Sequence, residues 1–307
     1  MKVAALDLGT NTFLCLIVEG DSQGIIKVHE DLSKVVRLGQ GVDKTGEFHP
    51  DALQRARECL AEFKKSIDIH GVDQVLAMAT SAARDAKNGQ ELFKIGKDLG
   101  IPIEIIPGED EARITYQGAT VGNVDTSKVN LVVDVGGGST ELIQGHGSQI
   151  LFGESLNIGG VRLTEKFISS QPVKDQERSL LEKHVESELQ KVLPEVKKTP
   201  VDQIVAVAGT PTSIAAIELG GFVAEKVDGY FLSRERLRYW VDEFAATSVE
   251  TKKDKYNLGG RADIIFAGSV ILLKVVEALN KEGLMISTKG VRYGVALEML
   301  RRKFTGI

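Results

Sequence analysis

Cysteine is nearly absent from this chain of 307 residues. It has only Cys15 and Cys59, which makes a disulfide framework or a thiolate metal cage improbable. Both read as small buried residues, one in a strand and one on an apolar helix face. The five histidines (His29, His49, His70, His146, His184) show no ligand spacing, so zinc is not implied. Positive charge is also lacking: 38 Lys and Arg against 43 Asp and Glu give a formal net charge of −5. A nucleic-acid binder driven by bulk charge is unlike this composition. Long hydrophobic runs are missing too. The longest, from Ile264 to Leu273, is far too short to span a bilayer. Asp7 interrupts the first apolar run before a signal-peptide core forms. These absences predict a soluble, reduced, cytoplasmic protein with neither nucleic acid nor membrane as partner.

What is present is glycine, 32 residues of it, in a balanced background of 42% hydrophobic and 26% charged residues. The richest stretch is Val129 to Gln144, VNLVVDVGGGSTELIQ. It reads as a buried strand, then Asp134, then the turn Gly136, Gly137, Gly138, Ser139, Thr140, then Glu141 and a second apolar run. Adjacent glycines let backbone N–H groups converge on an anion. Ser139 and Thr140 can add hydroxyl donors. Asp134 and Glu141 flank the turn as carboxylates suited to Mg²⁺, which prefers carboxylate, water and phosphate oxygen. A hydrogen-bonded turn acid beside a strand-edge charge is the plainer account of that pair.

A second copy lies at the N-terminus. Aligned on the acid, DLGTNTFLCLI from Asp7 matches DVGGGSTELIQ from Asp134. Either copy alone is as well explained as an ordinary hairpin. Two in register predict two similar lobes facing each other, with a polyphosphate held between the turns.

The rest of the chain alternates strands with helices, so the fold class is α/β. Strands are expected near 25–30, 34–38, 74–79, 103–106, 149–152, 203–207 and 284–287. Helices are expected over 50–67, 89–99, 109–121, 161–167, 175–193, 261–279 and 290–304, with Ser233 as the N-cap of another. The segment 246–256 is polar and lysine-rich and reads as mobile. Residues 1–124 form the first lobe and 125–294 the second, with a final helix near 295–307 packing back on the first.

Three further groups carry chemistry. Glu109, Asp110 and Glu111 open a helix directly after a strand. Acids there complement the macrodipole. They also stand at the carboxyl edge of the sheet, where a carboxylate can deprotonate water for attack on phosphorus. Arg84 ends the segment TSAAR at the same kind of edge; it is either a surface arginine or a bidentate phosphate fork. Arg113 reads as a structural partner for nearby acids. Gly209 and Thr210, in Gly209-Thr210-Pro211-Thr212, form a third strand-to-helix glycine turn, a weak signal alone, with N–H groups for phosphate or nucleotide. Gly268 reads as a close-packing site.

Taken together, Asp7-Leu8-Gly9-Thr10-Asn11-Thr12, the segment ending at Arg84, Gly108 to Arg113, Asp134 to Glu141, Asn157 to Thr164, Ala208 to Thr212 and Arg261 to Leu273 resemble the exopolyphosphatase / guanosine pentaphosphate phosphatase family in order and spacing. The resemblance covers essentially the whole chain. It implies two actin-like lobes of the ribonuclease-H-like, sugar-kinase and heat-shock ATPase group, with a cleft between them. It implies Glu111 as the base that activates water and Asp134, Glu141 and Asp7 as positions for Mg²⁺ or another divalent cation. It further implies Asn11, Thr12 and Gly136 to Thr140 as the phosphate cradle, with Gly209 and Thr210 beside it, and Arg84 as the substrate clamp. The implied reaction is in-line hydrolysis of a terminal phosphoanhydride, releasing orthophosphate from inorganic polyphosphate or from pppGpp.

Two departures stand out. Many members carry arginine where this chain has Leu14, so one cation is missing. The chain also resembles the short, two-domain type, which puts long-chain processivity in doubt. Exopolyphosphatase is the leading reading and pppGpp 5′-phosphatase the runner-up. An actin-like nucleotide-binding ATPase and a sugar or acetate kinase are less favoured alternatives. The oligomeric state is not legible; a homodimer is left open.

Overall fold

The structure is a computed structural model. It describes residues 1–106 and 108–305, and all their side chains except those of 108, 109 and 302–305. Pro107, where the sequence places a strand end, lies outside the described residues. Two compact units emerge: Met1–Gly118 with Val291–Ile307, and Ala119–Gly290. The sequence expectation put the boundaries at 124/125 and 294/295.

The first unit begins with a meander, β1 (Lys2–Leu8), β2 (Thr12–Asp21) and β3 (Gly24–Val35). Here the sequence suggested two short strands at 25–38; the structure holds one long strand whose bulges absorb the irregular pattern. A short helix α1 (Val42–Thr45) leads to α2 (Pro50–His70). Helix α2 starts where His49 caps the N–H of Asp51 and Pro50 fills the first turn, and stops at Gly71 with φ 59°. Then follow β4 (Gln74–Ala79), α3 (Ser81–Asp85), α4 (Gln90–Leu99), β5 (Ile103–Ile105) and α5 (Gly108–Ala119).

The second unit repeats the plan. A meander of β6 (Val129–Val135), β7 (Thr140–His146) and β8 (Gln149–Leu156) precedes α6 (Gly160–Phe167) and α7 (Asp175–Val196). Next come β9 (Gln203–Val207), α8 (Gly209–Glu218), α9 (Ala224–Val227), β10 (Phe231–Ser233), α10 (Arg234–Ala246), α11 (Val249–Tyr256), α12 (Ile265–Ala278) and β11 (Gly283–Ile286). The last helix, α13 (Val291–Thr305), belongs to the first unit.

Among the described residues the strand orders are β3-β2-β1-β4-β5 and β10-β11-β9-β6-β7-β8. Each sheet pairs a three-stranded antiparallel meander with parallel strands laid against its first member. The internal repeat therefore extends from the turn motif to the topology, and the α/β class is the one the structure has.

Side-chain alternation explains how the first sheet is covered. Ala4, Leu6 and Leu8 of β1 pack with Phe13, Cys15 and Ile17 against α2 residues such as Leu60 and Phe63. The odd set, Val3 and Ala5, packs with Leu16 and Val18 against Val291, Val295, Met299 and Leu300 of α13. Cys15 and Cys59 are free and buried, and burial pushes both thiols up to about 12. The second unit has one large core around α12, whose side chains from Ile265 to Leu273 are all buried. A Cβ at Gly268 would stand 2.4 Å from the Thr210 hydroxyl, so close packing is what that glycine permits.

One expectation fails clearly. Residues 249–256, read as part of a mobile segment, form α11, capped by the Ser248 hydroxyl on the N–H of Thr251. Lys252 within it is fully buried and donates to Gln171 Oε1. The polar composition concealed a helix with one buried ammonium. Among the described residues no helix is long and apolar enough to cross a membrane.

Candidate active site

The twin turns are alike in detail. In the first, the N–H of Gly9 donates to the carbonyl of Thr12 (3.2 Å); in the second, Gly136 donates to Ser139 (3.0 Å). These are the same positions counted from Asp7 and Asp134. A Cβ at Gly9 would meet the Thr12 oxygen at 2.9 Å, and one at Gly136 the Ser139 oxygen at 3.1 Å. Both turns thus crowd the same position, beyond tolerance at Gly9 and tightly at Gly136.

Each turn is clasped from behind by the segment that follows the third meander strand. The carbonyl of Gly136 accepts from Gly160 N–H (2.9 Å), and that of Gly137 from Val161 and Arg162 N–H (2.9 and 3.1 Å). The Gly138 carbonyl accepts from Arg162 Nε (2.8 Å). Gly159 is glycine because a Cβ there would lie 2.4 Å from the Gly137 oxygen. In the first unit the Thr10 carbonyl accepts from Gly39 (2.8 Å), and that of Asn11 from Val36 and Arg37 (2.9 and 2.8 Å). In a trans peptide the N–H points opposite to the carbonyl. With the carbonyls held at the back, the N–H groups of Gly137, Gly138 and Ser139, and of Asn11 and Thr12, face forward. Two anion nests result, one in each unit.

The side chains divide less simply than the motif suggests. The Ser139 hydroxyl donates to Glu141 Oε1 (2.7 Å), the Thr140 hydroxyl to the Ile158 carbonyl (2.6 Å), and Asn11 Nδ2 to the Thr12 hydroxyl (3.2 Å). Thr140 is fully buried. The hydroxyl protons of Ser139 and Thr140, expected on phosphate, are thus engaged within the protein, and the cradle is left to the backbone.

Asp134 and Glu141 sit directly opposite in the β6–β7 ladder, so both side chains share a face. Glu141 is 3% exposed and its Oε1 is oriented by Ser139 and by Ser155 (2.7 Å each). An all-oxygen pair of this kind fits Mg²⁺. Among the described residues no three His, Cys, Asp or Glu side chains gather as a cage. Water and phosphate oxygens would have to complete the coordination, as Mg²⁺ favours. Asp7 stands in the corresponding place in the first unit, but its ladder partner is Leu14, not an acid. The structure therefore pairs two of the three expected metal residues with each other and leaves Asp7 in the other unit.

In the first unit, β1, β4 and β5 run parallel with Leu8, Ala79 and Ile105 aligned at one edge. That edge carries the Asp7 turn, then α3 with Arg84, then α5 with Glu111. Arg84 Nη1 donates to Glu111 (2.5 Å) and to the Ile106 carbonyl (3.0 Å). Glu111 is only 4% exposed. The expected base and the expected clamp are thus an ion pair. Among the described residues none accepts from Arg84 Nε or Nη2. Arg113 pairs with Glu298 (3.2 Å), the structural role expected of it.

In the second unit β9 runs parallel to β6, with Val207 beside Asp134. Gly209 and Thr210 open α8 just beyond, at the same sheet edge. Ala208 before them has φ 75°, a costly conformation for a residue with a Cβ. A Cβ at Gly209 would meet Arg261 Nε at 2.5 Å, so Arg261 lies across the start of α8. Burial pulls its guanidinium below the ordinary arginine range, and no described residue is paired with that guanidinium. Sequence reasoning noted the segment beginning at Arg261 but gave this side chain no role. A desolvated, unpaired cation calls for an anion, and no local pattern reveals the desolvation.

The chain as a whole is similar to known proteins. The sequence model of the Ppx/GppA phosphatase family matches residues 16–303. Exopolyphosphatase 2 of Mycobacterium tuberculosis is 32% identical, over 97% of this chain and 98% of that protein. A bifunctional 3-dehydroquinate synthase/phosphatase of Fusobacterium nucleatum is 30% identical over 98% of this chain and 47% of its own length. Among solved structures, the Ppx/GppA family member of Aquifex aeolicus is 32% identical with a TM-score of 0.81, covering 99% of this chain and 98% of that one. An exopolyphosphatase from Cytophaga hutchinsonii is 26% identical with a TM-score of 0.89, covering 98% of each. With the family model matching residues 16–303 and relatives at 30% identity or more along nearly its full length, the chain belongs to the Ppx/GppA phosphatase family.

Proposed function

We propose that the chain is an exopolyphosphatase, hydrolysing the terminal phosphoanhydride of inorganic polyphosphate and releasing orthophosphate. The observation that carries the reading is the clasped glycine turn, made twice. A turn whose carbonyls are all held at the back is a preorganised set of forward N–H donors, and it needs an anion more than a sugar or a peptide. The desolvated guanidinium of Arg261, with which no described residue is paired, supports the same substrate class.

Glu111 is the base in this reading. Its carboxylate takes a proton from the attacking water while Arg84 holds it in place and offers its remaining N–H groups to the phosphoryl oxygens. The turn amides bind the oxygens that gain charge as the bond to the leaving phosphate lengthens. Asp134 and Glu141 would hold a divalent cation, Mg²⁺ by the chemistry of the donors, which when bound neutralises phosphate charge.

Guanosine pentaphosphate offers the same terminal anhydride. Relatives known as exopolyphosphatases tip the choice to polyphosphate. Colorimetric phosphate release from polyphosphate and from pppGpp, each with and without Mg²⁺, tests this directly. Faster release from polyphosphate is expected. Release from pppGpp alone would move the assignment to the nucleotide, and release from neither would end it.

A further inference from the structure

The two glycine turns are alike in front and different behind. In the second unit the N–H groups that clasp the turn, those of Gly160, Val161 and Arg162, are the first of α6. A helix N-terminus carries partial positive charge, and Arg162 Nε brings a full one to the Gly138 carbonyl (2.8 Å). In the first unit no helix starts at the clasp. The N–H groups of Val36 and Arg37, just past β3, hold the Asn11 carbonyl (2.9 and 2.8 Å), and α1 begins only at Val42.

There the positive charge comes from α2. Arg55 Nε donates to the Val36 carbonyl (2.7 Å), and Nη2 donates to the Arg37 carbonyl (3.3 Å) and to Gln40 Oε1 (3.1 Å). These acceptors are all neutral oxygens, so the charge of the guanidinium is spent on the clasp rather than on a carboxylate.

The bonds line up head to tail. The Val36 carbonyl and the Arg37 N–H are the two ends of one peptide unit, and the Asn11 carbonyl and the Thr12 N–H are the ends of another. Guanidinium donates to Val36, Arg37 donates to Asn11, and the Thr12 N–H faces forward in the nest. Hydrogen bonds in such a chain polarise one another, by about 10–30% per bond. The Thr12 N–H is thus a stronger donor than an isolated amide.

The clasp also has to be held in shape. Arg37 has φ 55°, and a residue with a Cβ enters the left-handed region only where its surroundings impose it. Its N–H is on Asn11, and its carbonyl accepts from Arg55 and from the N–H of Gln40 (3.2 Å). Two residues on, a Cβ at Gly39 would lie 2.2 Å from Thr10 Cγ2, so the loop is pressed against the turn it supports.

We propose that Arg55 is a positioning residue for the first anion nest: it fixes the Val36–Arg37 clasp and, through two peptide units, strengthens the Thr12 N–H without touching substrate. The inference rests on that nest holding phosphate in the proposed hydrolysis.

Arg55→Met in the full-length protein tests it with two readings. The first follows the Thr12 amide by two-dimensional NMR during a titration with inorganic phosphate. Its proton resonance should lie upfield of its place in the unmodified protein before phosphate is added, and phosphate should bind about tenfold more weakly. The second is kcat/KM for polyphosphate, expected about tenfold lower, less than the 10²- to 10³-fold cost of removing such a donor outright. Arg55→Lys keeps the charge but loses the fork and should cost about threefold in both. Gln40→Ala removes one bond of Arg55 and leaves the relay whole, so both readings should stay within about twofold. The proposal is overturned by a Thr12 resonance that phosphate does not move in the unmodified protein, by Arg55→Met within twofold in both readings, or by a loss in Gln40→Ala as large as in Arg55→Met. If Arg55→Met fails to fold, Arg55→Lys decides by the same readings, and no change in either overturns it. If the unmodified protein hydrolyses neither polyphosphate nor pppGpp, the phosphatase reading fails instead, and the Thr12 titration alone decides the role of Arg55.

Discussion

Arg84 and Glu111 stand 27 positions apart in the chain and 2.5 Å apart in space, and the pairing changes what each substitution tests. Glu111→Gln keeps the shape and leaves an oxygen for Arg84 to donate to, while removing the proposed base. Turnover on polyphosphate should fall by about 10²- to 10⁴-fold, with binding of the phosphate chain retained; single-turnover phosphate release beside a binding titration separates the two. Wild-type turnover in that variant would reject Glu111 as the base. Arg84→Ala is more than the loss of a phosphate contact, because it removes a cation paired with a buried carboxylate. Both kcat and KM should suffer, and a rise in KM alone would mean the ion pair has no part in catalysis. Each residue was legible as a candidate from its place after a strand. Their pairing was not, since nothing local to TSAAR or EDEAR records which helix start lies beside which. Arg261 was illegible for a related reason: desolvation is a property of the assembled surroundings.

At the scale of elements, the turns and α11 show opposite limits of reading a pattern. The turns were legible because an acid, a glycine two positions on and small residues between strands specify backbone geometry locally. The clasp behind them came only with the structure, as did the engagement of the Ser139 and Thr140 hydroxyls. Helix α11 was misread because lysine-rich composition usually means solvent, whereas Lys252 is enclosed. Burial pushes its ammonium down to about 8, against the opposing attraction of Asp263. An unfolded lysine titrates near 10.5. Between these values the unfolded chain binds more protons than the folded one, so this group's contribution to stability rises with pH across that window and is lost as pH falls back through it. The slope is at most about 1.4 kcal/mol per pH unit. The thiols of Cys15 and Cys59 act in the other direction, since folding raises them from 9.0 to about 12. Only the difference between the unmodified protein and Lys252→Met isolates the lysine. In urea titrations that difference should grow in favour of the unmodified protein from pH 8 to 10.5. A difference independent of pH would mean the buried ammonium keeps its ordinary affinity for protons.

The whole molecule is two copies of one sheet plan, but only the second copy is continuous in sequence. The first unit is completed by α13, which arrives after the entire second unit has been made. The repeated motif showed that there are two sheets; it gave no indication of how much the first depends on the end of the chain. That dependence can be put in energies. Val291, Val295, Met299 and Leu300 are each at least nine-tenths buried against Val3, Ala5, Leu16 and Val18. Burying such side chains contributes about 1.5–3 kcal/mol apiece, on the order of 10 kcal/mol together. A whole domain is stable by only about 5–15 kcal/mol. A chain ending at Gly290 would also expose one face of the first sheet to water. The first unit should therefore lose its cooperative unfolding, while the second, whose core draws on no residue beyond Ile286, keeps its own. Hydrogen exchange on the truncated chain should show protection surviving in β6, β9 and α12 and vanishing from β1 and β2. Protection retained in β1 and β2 would show that the α2 face alone holds the first sheet together, with α13 an accessory to the fold.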